Sequence, residues 1–249
     1  MVQIGRVVIA TLLLGCVLST IASADDDDAE KTAAPPSLEN KLTVAYYQFS
    51  SATTGFDINL RHAFATSTAW IGAYRESSDF DQVRVGYEYD YHRSGLTLVP
   101  SAQAATHGFF GASIYAEVGK PWFAIGGAGR TNLQPYWNLG FDPNDYVQFG
   151  GGFRDHAGNT VMVYAIRDDR LATGQTNTHF YVRQYLPDNW RLTLDVVREH
   201  GIGDDDLVVR AWSTSVDVDW RRWFARVAFD PHVNYRPDRQ VRVAAGIRF

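Results

Sequence analysis

The last ten residues, Gln240-Val241-Arg242-Val243-Ala244-Ala245-Gly246-Ile247-Arg248-Phe249, alternate strictly. Val241, Val243, Ala245, Ile247 and Phe249 share one parity; Arg242, Ala244, Gly246 and Arg248 share the other. Successive side chains of a strand point to opposite faces, so this pattern predicts a strand that is oily on one side and polar or small on the other. The alternation recurs upstream. Phe56, Ile58 and Leu60 alternate with Asp57, Asn59 and Arg61; Val83, Val85, Tyr87, Tyr89 and Tyr91 with Arg84, Gly86, Glu88, Asp90 and His92. Phe110, Ile114 and Val118 oppose Ser113 and Glu117, and Val147, Phe149 and Phe153 oppose Gln148 and Arg154. Phe180 and Val182 oppose His179, Tyr181 and Arg183; Trp190, Leu192, Leu194 and Val196 oppose Arg191, Thr193 and Asp195. Trp212, Val216, Val218 and Trp220 oppose Ser213, Ser215, Asp217 and Asp219, and Trp223, Val227 and Phe229 oppose Arg226 and Asp230. Less regular segments near 42–50, 68–76, 95–104, 122–130, 134–141 and 159–167 also read as strands, and no segment carries a convincing helical period. Gly119-Lys120-Pro121, Pro143-Asn144-Asp145, Pro187-Asp188-Asn189 and Arg236-Pro237-Asp238 are turn chemistry. The longest polar connections fall around 168–177, 200–206 and 231–239, and no insertion is long enough for a plug domain.

The first residues have a different character. Arg6 is a positive n-region, residues 7–18 an apolar core, and Ala22-Ser23-Ala24 a small-residue cleavage site, which predicts a signal peptide over 1–24. The apolar run is short for a bilayer-spanning helix and is broken by Thr11, Gly15 and Cys16. Leu13-Leu14-Gly15-Cys16 resembles a lipoprotein box, so lipidation of Cys16 stands as the alternative to cleavage after Ala24. Residues 25–40, with four consecutive aspartates and Pro35-Pro36, predict a disordered acidic periplasmic tail.

Composition narrows the class. Aromatics make up 14% of the chain, with 7 Trp, 13 Tyr and 14 Phe, yet mean hydropathy is only -0.23. A barrel that turns alternate residues to lipid has this signature, since its inner face is polar. Trp190, Trp212, Trp220 and Trp223 fall near strand ends on the oily parity, where interfacial aromatics sit. The net charge of -5 has no long basic run and gives no sign of a nucleic-acid partner. Cys16 is the only cysteine, so a mature chain has no disulfide, thiolate metal site or cysteine nucleophile. No His/Cys/Asp cluster has metal-ligand spacing, and no cofactor motif is present.

A leader, many alternating strands and a terminal aromatic on the oily parity together resemble bacterial outer-membrane β-barrel proteins of the porin-like kind. The resemblance implies an all-β fold, a transmembrane antiparallel barrel over residues 41–249, in the outer membrane of a Gram-negative bacterium. It also implies that Phe249 is a recognition signal for the barrel-assembly machinery, and that membrane lipid and lipopolysaccharide surround the chain. Such barrels have even strand numbers. The candidates number fifteen, so one is wrong; the error is expected within 122–141, where glycines blur the pattern and one long strand is read as two. Fourteen strands are expected, with twelve as the alternative.

The inner parity carries both signs of charge: Arg61, Arg84, Glu88, Asp90, Glu117, Arg154, Arg183, Asp195, Asp217, Asp219, Arg226 and Arg242 are the candidate pore-lining residues. They either line an aqueous pore or cross-link into a salt-bridged interior. At about fourteen strands the interior exceeds what side chains fill in eight-stranded barrels, which favours a narrow channel for passive diffusion of small hydrophilic solutes. Two other classes remain: a barrel enzyme acting on lipid acyl chains, and a structural or adhesin barrel. Of seven histidines, only His179 lies mid-strand on the polar parity, and no Ser–His arrangement of the known lipid-active barrels is recognisable, so no catalytic residue is assigned. Oligomeric state is left open.

Overall fold

The computed structural model describes residues 39–249 apart from 79 and 138–141. The leader and most of the acidic tail lie outside these residues. The elements are β1 (Asn40–Phe49), β2 (Thr54–Phe64), β3 (Ser67–Glu76), β4 (Asp81–Tyr89), β5 (Tyr91–Arg93), β6 (Leu96–Ala105), β7 (Phe109–Val118), β8 (Trp122–Thr131), β9 (Tyr146–Arg154), β10 (Thr160–Asp168), β11 (Thr176–Leu186), β12 (Trp190–Ile202), β13 (Val208–Trp220), β14 (Trp223–Asp230) and β15 (Gln240–Arg248). Every neighbour pairs antiparallel. The ring closes between β1 and β15, with Lys41 opposite Arg248 and Phe49 opposite Gln240. β5 is a three-residue continuation of β4 beyond Asp90, since both pair with β6. The architecture is therefore a closed fourteen-stranded antiparallel barrel. Closure removes every sheet edge, the requirement hydrocarbon imposes on a strand-built membrane protein.

Side-chain parity divides outside from inside as the alternation predicts. Phe56, Ile58, Leu60, Ile71, Val83, Val85, Phe110, Phe149, Val161, Phe180, Val241 and Val243 are exposed on the outer surface. Their neighbours in sequence, among them Asp57, Arg84, Gln148, His179, Asp195 and Arg242, are buried within the barrel. Trp190, Trp220 and Trp223 form a band at the end where β1 starts and β15 stops (the termini end), and there Trp190 and Trp220 stack 5.7 Å apart. Trp122, the most exposed residue of that band, joins them and packs on Phe153 at 5.0 Å. Trp212 instead lies toward the opposite end of β13. Phe249 is exposed beside Asn40, and the two residues exchange backbone hydrogen bonds at 2.9 Å.

The connections at the termini end are short. Those at the far end include the longer ones, 169–175, 203–207 and 231–239, as expected from the sequence, but the longest is 132–145. This corrects the strand expected over 134–141 and the isolated turn expected at 143–145. Residues 132–137 form no strand, and 138–141 lie outside the described residues. The surplus candidate lies within 122–141, as expected, but β8 is one ordinary strand; after it residues 132–137 leave the sheet and carry Tyr136 and Trp137 inward. Pro135 lacks the amide a ladder needs, and Leu133 adopts a φ of 61°, which turns the chain off the line of β8.

Candidate functional site: a strapped interior

Each end of the inward segment is gripped by the barrel wall. Trp137 enters an aromatic box made by inward residues of β1 and β3. It stacks on Tyr74 with ring centroids 5.1 Å apart and planes 3° from parallel, and meets the edges of Tyr47 and Phe49 at 6.3 and 5.6 Å. Val233 packs on the same cluster, and the Arg236 guanidinium lies 5.6 Å over the Trp137 ring. Just before it, Tyr136 stacks on Phe109 at 4.0 Å and its hydroxyl reaches Gln103 Oε1 at 3.2 Å.

The second grip is polar. Asp142 Oδ1 lies 2.9 Å from His179 Nε2 and accepts from Asn177 Nδ2 at 3.2 Å. His179 Nδ1 is 3.0 Å from Asp195 Oδ2, and the ring stacks flat on Tyr164 at 4.3 Å. Both ring nitrogens thus face carboxylates, the arrangement that suits an imidazolium donating twice. The Tyr235 hydroxyl donates to Asn177 Oδ1 at 2.5 Å, so the 231–239 connection braces this grip as well as the Trp137 box.

β3 and β11 are seven steps apart round the ring in either direction. Tyr74 and His179 therefore stand on opposite walls, so Trp137 and Asp142 dock on facing sides of the interior; the described residues 132–137 and 142–145 make up a strap. Beside it lies a gap of ≈ 40 Å³ whose lining includes Ser101, Gln103, Arg130, Asp142 and Tyr146. It has room for a few waters.

The tail of the strap is fixed by Asp145, which accepts from Thr131 Oγ1 at 2.6 Å, Thr131 N at 3.0 Å and Arg170 Nη1 at 2.9 Å. Burial alone would raise this carboxyl, but the hydrogen bonds from Thr131 and Arg170 outweigh it and hold its pKa below the usual carboxylate value. A depressed carboxylate adds stability that is full above the unfolded pKa of about 3.9 and is lost as pH falls through the lower folded value. Hydrogen exchange at the Thr131 amide, corrected for its intrinsic rate, should accelerate below about pH 4. Asp145→Asn should exchange fast already at pH 7. Equal protection in both proteins at both pH values would show that this carboxylate does not hold the strap.

All twelve candidate residues project inward, and most are paired. Arg84 Nη2 meets Asp57 Oδ2 at 2.5 Å with both side chains almost fully buried. Arg61 meets Glu88 at 2.5 Å, and Arg154 clasps Glu117 through two bonds of 2.7 and 3.1 Å. Arg226 Nε lies 2.9 Å from Asp217 Oδ1, in ionic contact but without hydrogen-bond alignment. Asp219 is shared by Arg191 at 3.3 Å and Arg248 at 2.7 Å. Asp195 holds His179, Arg183 lies 5.5 Å over the Tyr181 ring, and Arg242 lies 5.9 Å over Tyr47. Asp90, at the break between β4 and β5, feels the charges of His92 and Arg61.

Several pairs skip a strand. Arg84 on β4 reaches Asp57 on β2 by crossing β3 at Gly72, where an added Cβ would stand 2.7 Å from Asn59 Nδ2 and 3.1 Å from Arg84 Nη2. Gly86 does the same for Trp70, whose ring lies 2.1 Å from the position a Cβ would take. Glycine on the inner face is thus the space into which a large neighbour lies down.

The sequence-level reading missed the strap residues Trp137 and Asp142 and the wall residue Lys41. His179 was the one local signal, as the only histidine placed mid-strand on the polar parity.

No protein-family model matches the chain, and no curated protein does. Among solved structures it is similar to the Acinetobacter baumannii outer membrane protein Omp33, at TM-score 0.56 and 7% identity over 85% of this chain and 98% of that one. The NanC porin aligns at TM-score 0.48 and 9% identity over 84% of this chain and 100% of that one. The KdgM porin in complex with disordered oligogalacturonate aligns at TM-score 0.46 and 10% identity over 84% and 99%.

Proposed function

We propose that this barrel is an outer-membrane channel for passive diffusion of small hydrophilic solutes, with the strap setting its bore. The observation that carries the reading is a closed fourteen-stranded barrel, apolar outside and charged inside, into which Trp137 and Asp142 reach from the connection after β8. A wall of both charge signs is how such pores select among small polar solutes. The likeness to Omp33 supports the barrel fold on which the reading stands. In this reading residues 1–24 are removed on export, the strapped end faces outward, Phe249 guides assembly, and lipid and lipopolysaccharide contact the outer face.

The lipid-active enzyme reading has less support. His179 is held on both ring nitrogens by carboxylates, so it has no free nitrogen to take a proton from a hydroxyl. It also faces inward, away from lipid.

Swelling of liposomes carrying the refolded protein tests the channel. Glycerol and a pentose should enter, with rates falling steeply toward disaccharides. Swelling no faster than in protein-free liposomes would remove the channel reading.

A further inference from the structure

At the termini end of the interior, one aromatic ring is surrounded by cations. Lys41 Nζ lies 5.1 Å from the Phe224 ring centroid, and the guanidinium carbons of Arg226 and Arg248 lie at 4.6 and 5.0 Å. Register places them on three adjoining strands: Lys41 is opposite Arg248 across β1 and β15, and Phe224 is opposite Gly246 across β14 and β15. Gly246 leaves the ring its place, since a Cβ there would stand 2.1 Å from Phe224 Cζ. Arg61 faces Lys41 from β2, and Arg191 approaches from β12.

This neighbourhood is short of negative charge. Among the described residues its ion-paired carboxylates are Asp217, Asp219 and Glu88, and each is already engaged: Asp217 by Arg226, Asp219 by both Arg191 and Arg248, Glu88 by Arg61. Asp90 adds a fourth acid at the edge, beside Arg61, so five cations face four carboxylates. Among the described residues Lys41 makes no ion pair or hydrogen bond; it lies over the ring and feels Asp217 only at longer range. The Nε groups of Arg61 and Arg226 also lack an acceptor. Like charges crowded in a partly desolvated wall repel one another, and a wall built only for stability would match them with acids. The missing element is an anion. Phe224, almost fully buried, forms the floor, while Arg61 and Arg248 keep about a quarter and a fifth of their side chains exposed toward the interior, at 27% and 21%.

We propose that Lys41, Arg226 and Arg248 over Phe224 form an oxyanion-binding station in the wall, taking small solutes that carry carboxylate or phosphate groups. As a statement about what passes through the pore it rests on the channel reading; as a binding site it stands by itself. Negative charge on the ligand would offset the excess of cations. Guanidinium groups supply the forked donors that such oxygens take, and the ammonium adds a compact charge.

Lys41 is the residue to change, because among the described residues it makes no ion pair, so its removal breaks none. Two readouts separate the claims. In planar bilayers under a tenfold KCl gradient, the wild type should favour chloride, and Lys41→Glu should lower the chloride-to-potassium permeability ratio about fivefold or more. Separately, calorimetric titration of the detergent-folded protein with inorganic phosphate should show saturable binding that Lys41→Gln weakens about fivefold or more. Heat-modified gel mobility confirms that each variant is a folded barrel. Phosphate binding that depends on Lys41 in a barrel without current steps would uphold the station and remove the channel. Current steps whose selectivity ignores Lys41→Glu, together with no phosphate binding, would overturn the station and leave the channel standing.

Discussion

Cutting both grips of the strap should widen the pore. In the double variant Trp137→Ala/Asp142→Ala, single-channel conductance is expected to rise about twofold or more, with the size limit for sugars shifting upward. The argument lies in what each change removes. Trp137→Ala deletes a side chain packed on Tyr47, Phe49 and Tyr74, a class of truncation that costs about 3–5 kcal/mol. Here that loss falls mainly on the docking of the strap, because the three partners remain anchored in β1 and β3. Asp142→Ala removes one of the two carboxylates on His179 but leaves Asp195 at 3.0 Å, so the wall keeps its own ion pair. The fourteen-stranded ladder is untouched, and folding should survive. Each single variant should give an intermediate effect or brief openings. A double variant that folds and conducts as the wild type does would show that the strap is not the constriction.

The second large effect concerns stability. Arg84→Ala is expected to destabilise the barrel by about 3–5 kcal/mol, read from urea unfolding in detergent micelles. Arg84 and Asp57 expose 1% and 3% of their side chains, so the change leaves an enclosed carboxylate that has lost its ion-pair partner and keeps the weaker influence of Arg242. Removing both partners, in Arg84→Leu/Asp57→Leu, should recover most of that loss, because no charge is then stranded. A rim pair serves as the contrast: Arg130 and Asp169 bond twice, at 2.6 and 2.5 Å, but Arg130 is more than half exposed, and Arg130→Ala should leave the urea midpoint near that of the wild type. Equal losses at the two sites would contradict the buried character assigned to the Arg84 pair.

Much of this molecule was legible in its sequence, for a specific reason. A barrel wall is the most local of folds: each strand alternates by itself, so Val241, Val243, Arg242 and their counterparts declare their faces without knowledge of any partner. Closure follows because no strand can leave an edge in lipid. The strap was not legible, because it obeys no such rule. Tyr136 and Trp137 are aromatic for the sake of Phe109 and Tyr74, residues far away in the chain, and their presence imitated a strand. Asp142 meets His179 only through the closed ring, and nothing local marks either as a partner. The ion pairs fall between these cases. The sequence displayed both signs on the inner parity. Which acid meets which base depends on how strands are staggered and on gaps such as Gly72, so the strand-skipping contact of Arg84 with Asp57 was out of reach. Lys41, near the start of the first strand, lay beside Arg248 only once the ring had closed.

The most direct test of the channel is a planar-bilayer recording of the refolded wild-type protein, with heat-shifted gel mobility confirming the barrel. The account predicts discrete current steps that are small for fourteen strands and that scale with salt concentration. A folded barrel that inserts yet stays electrically silent, at low and high salt and at either polarity, would contradict it.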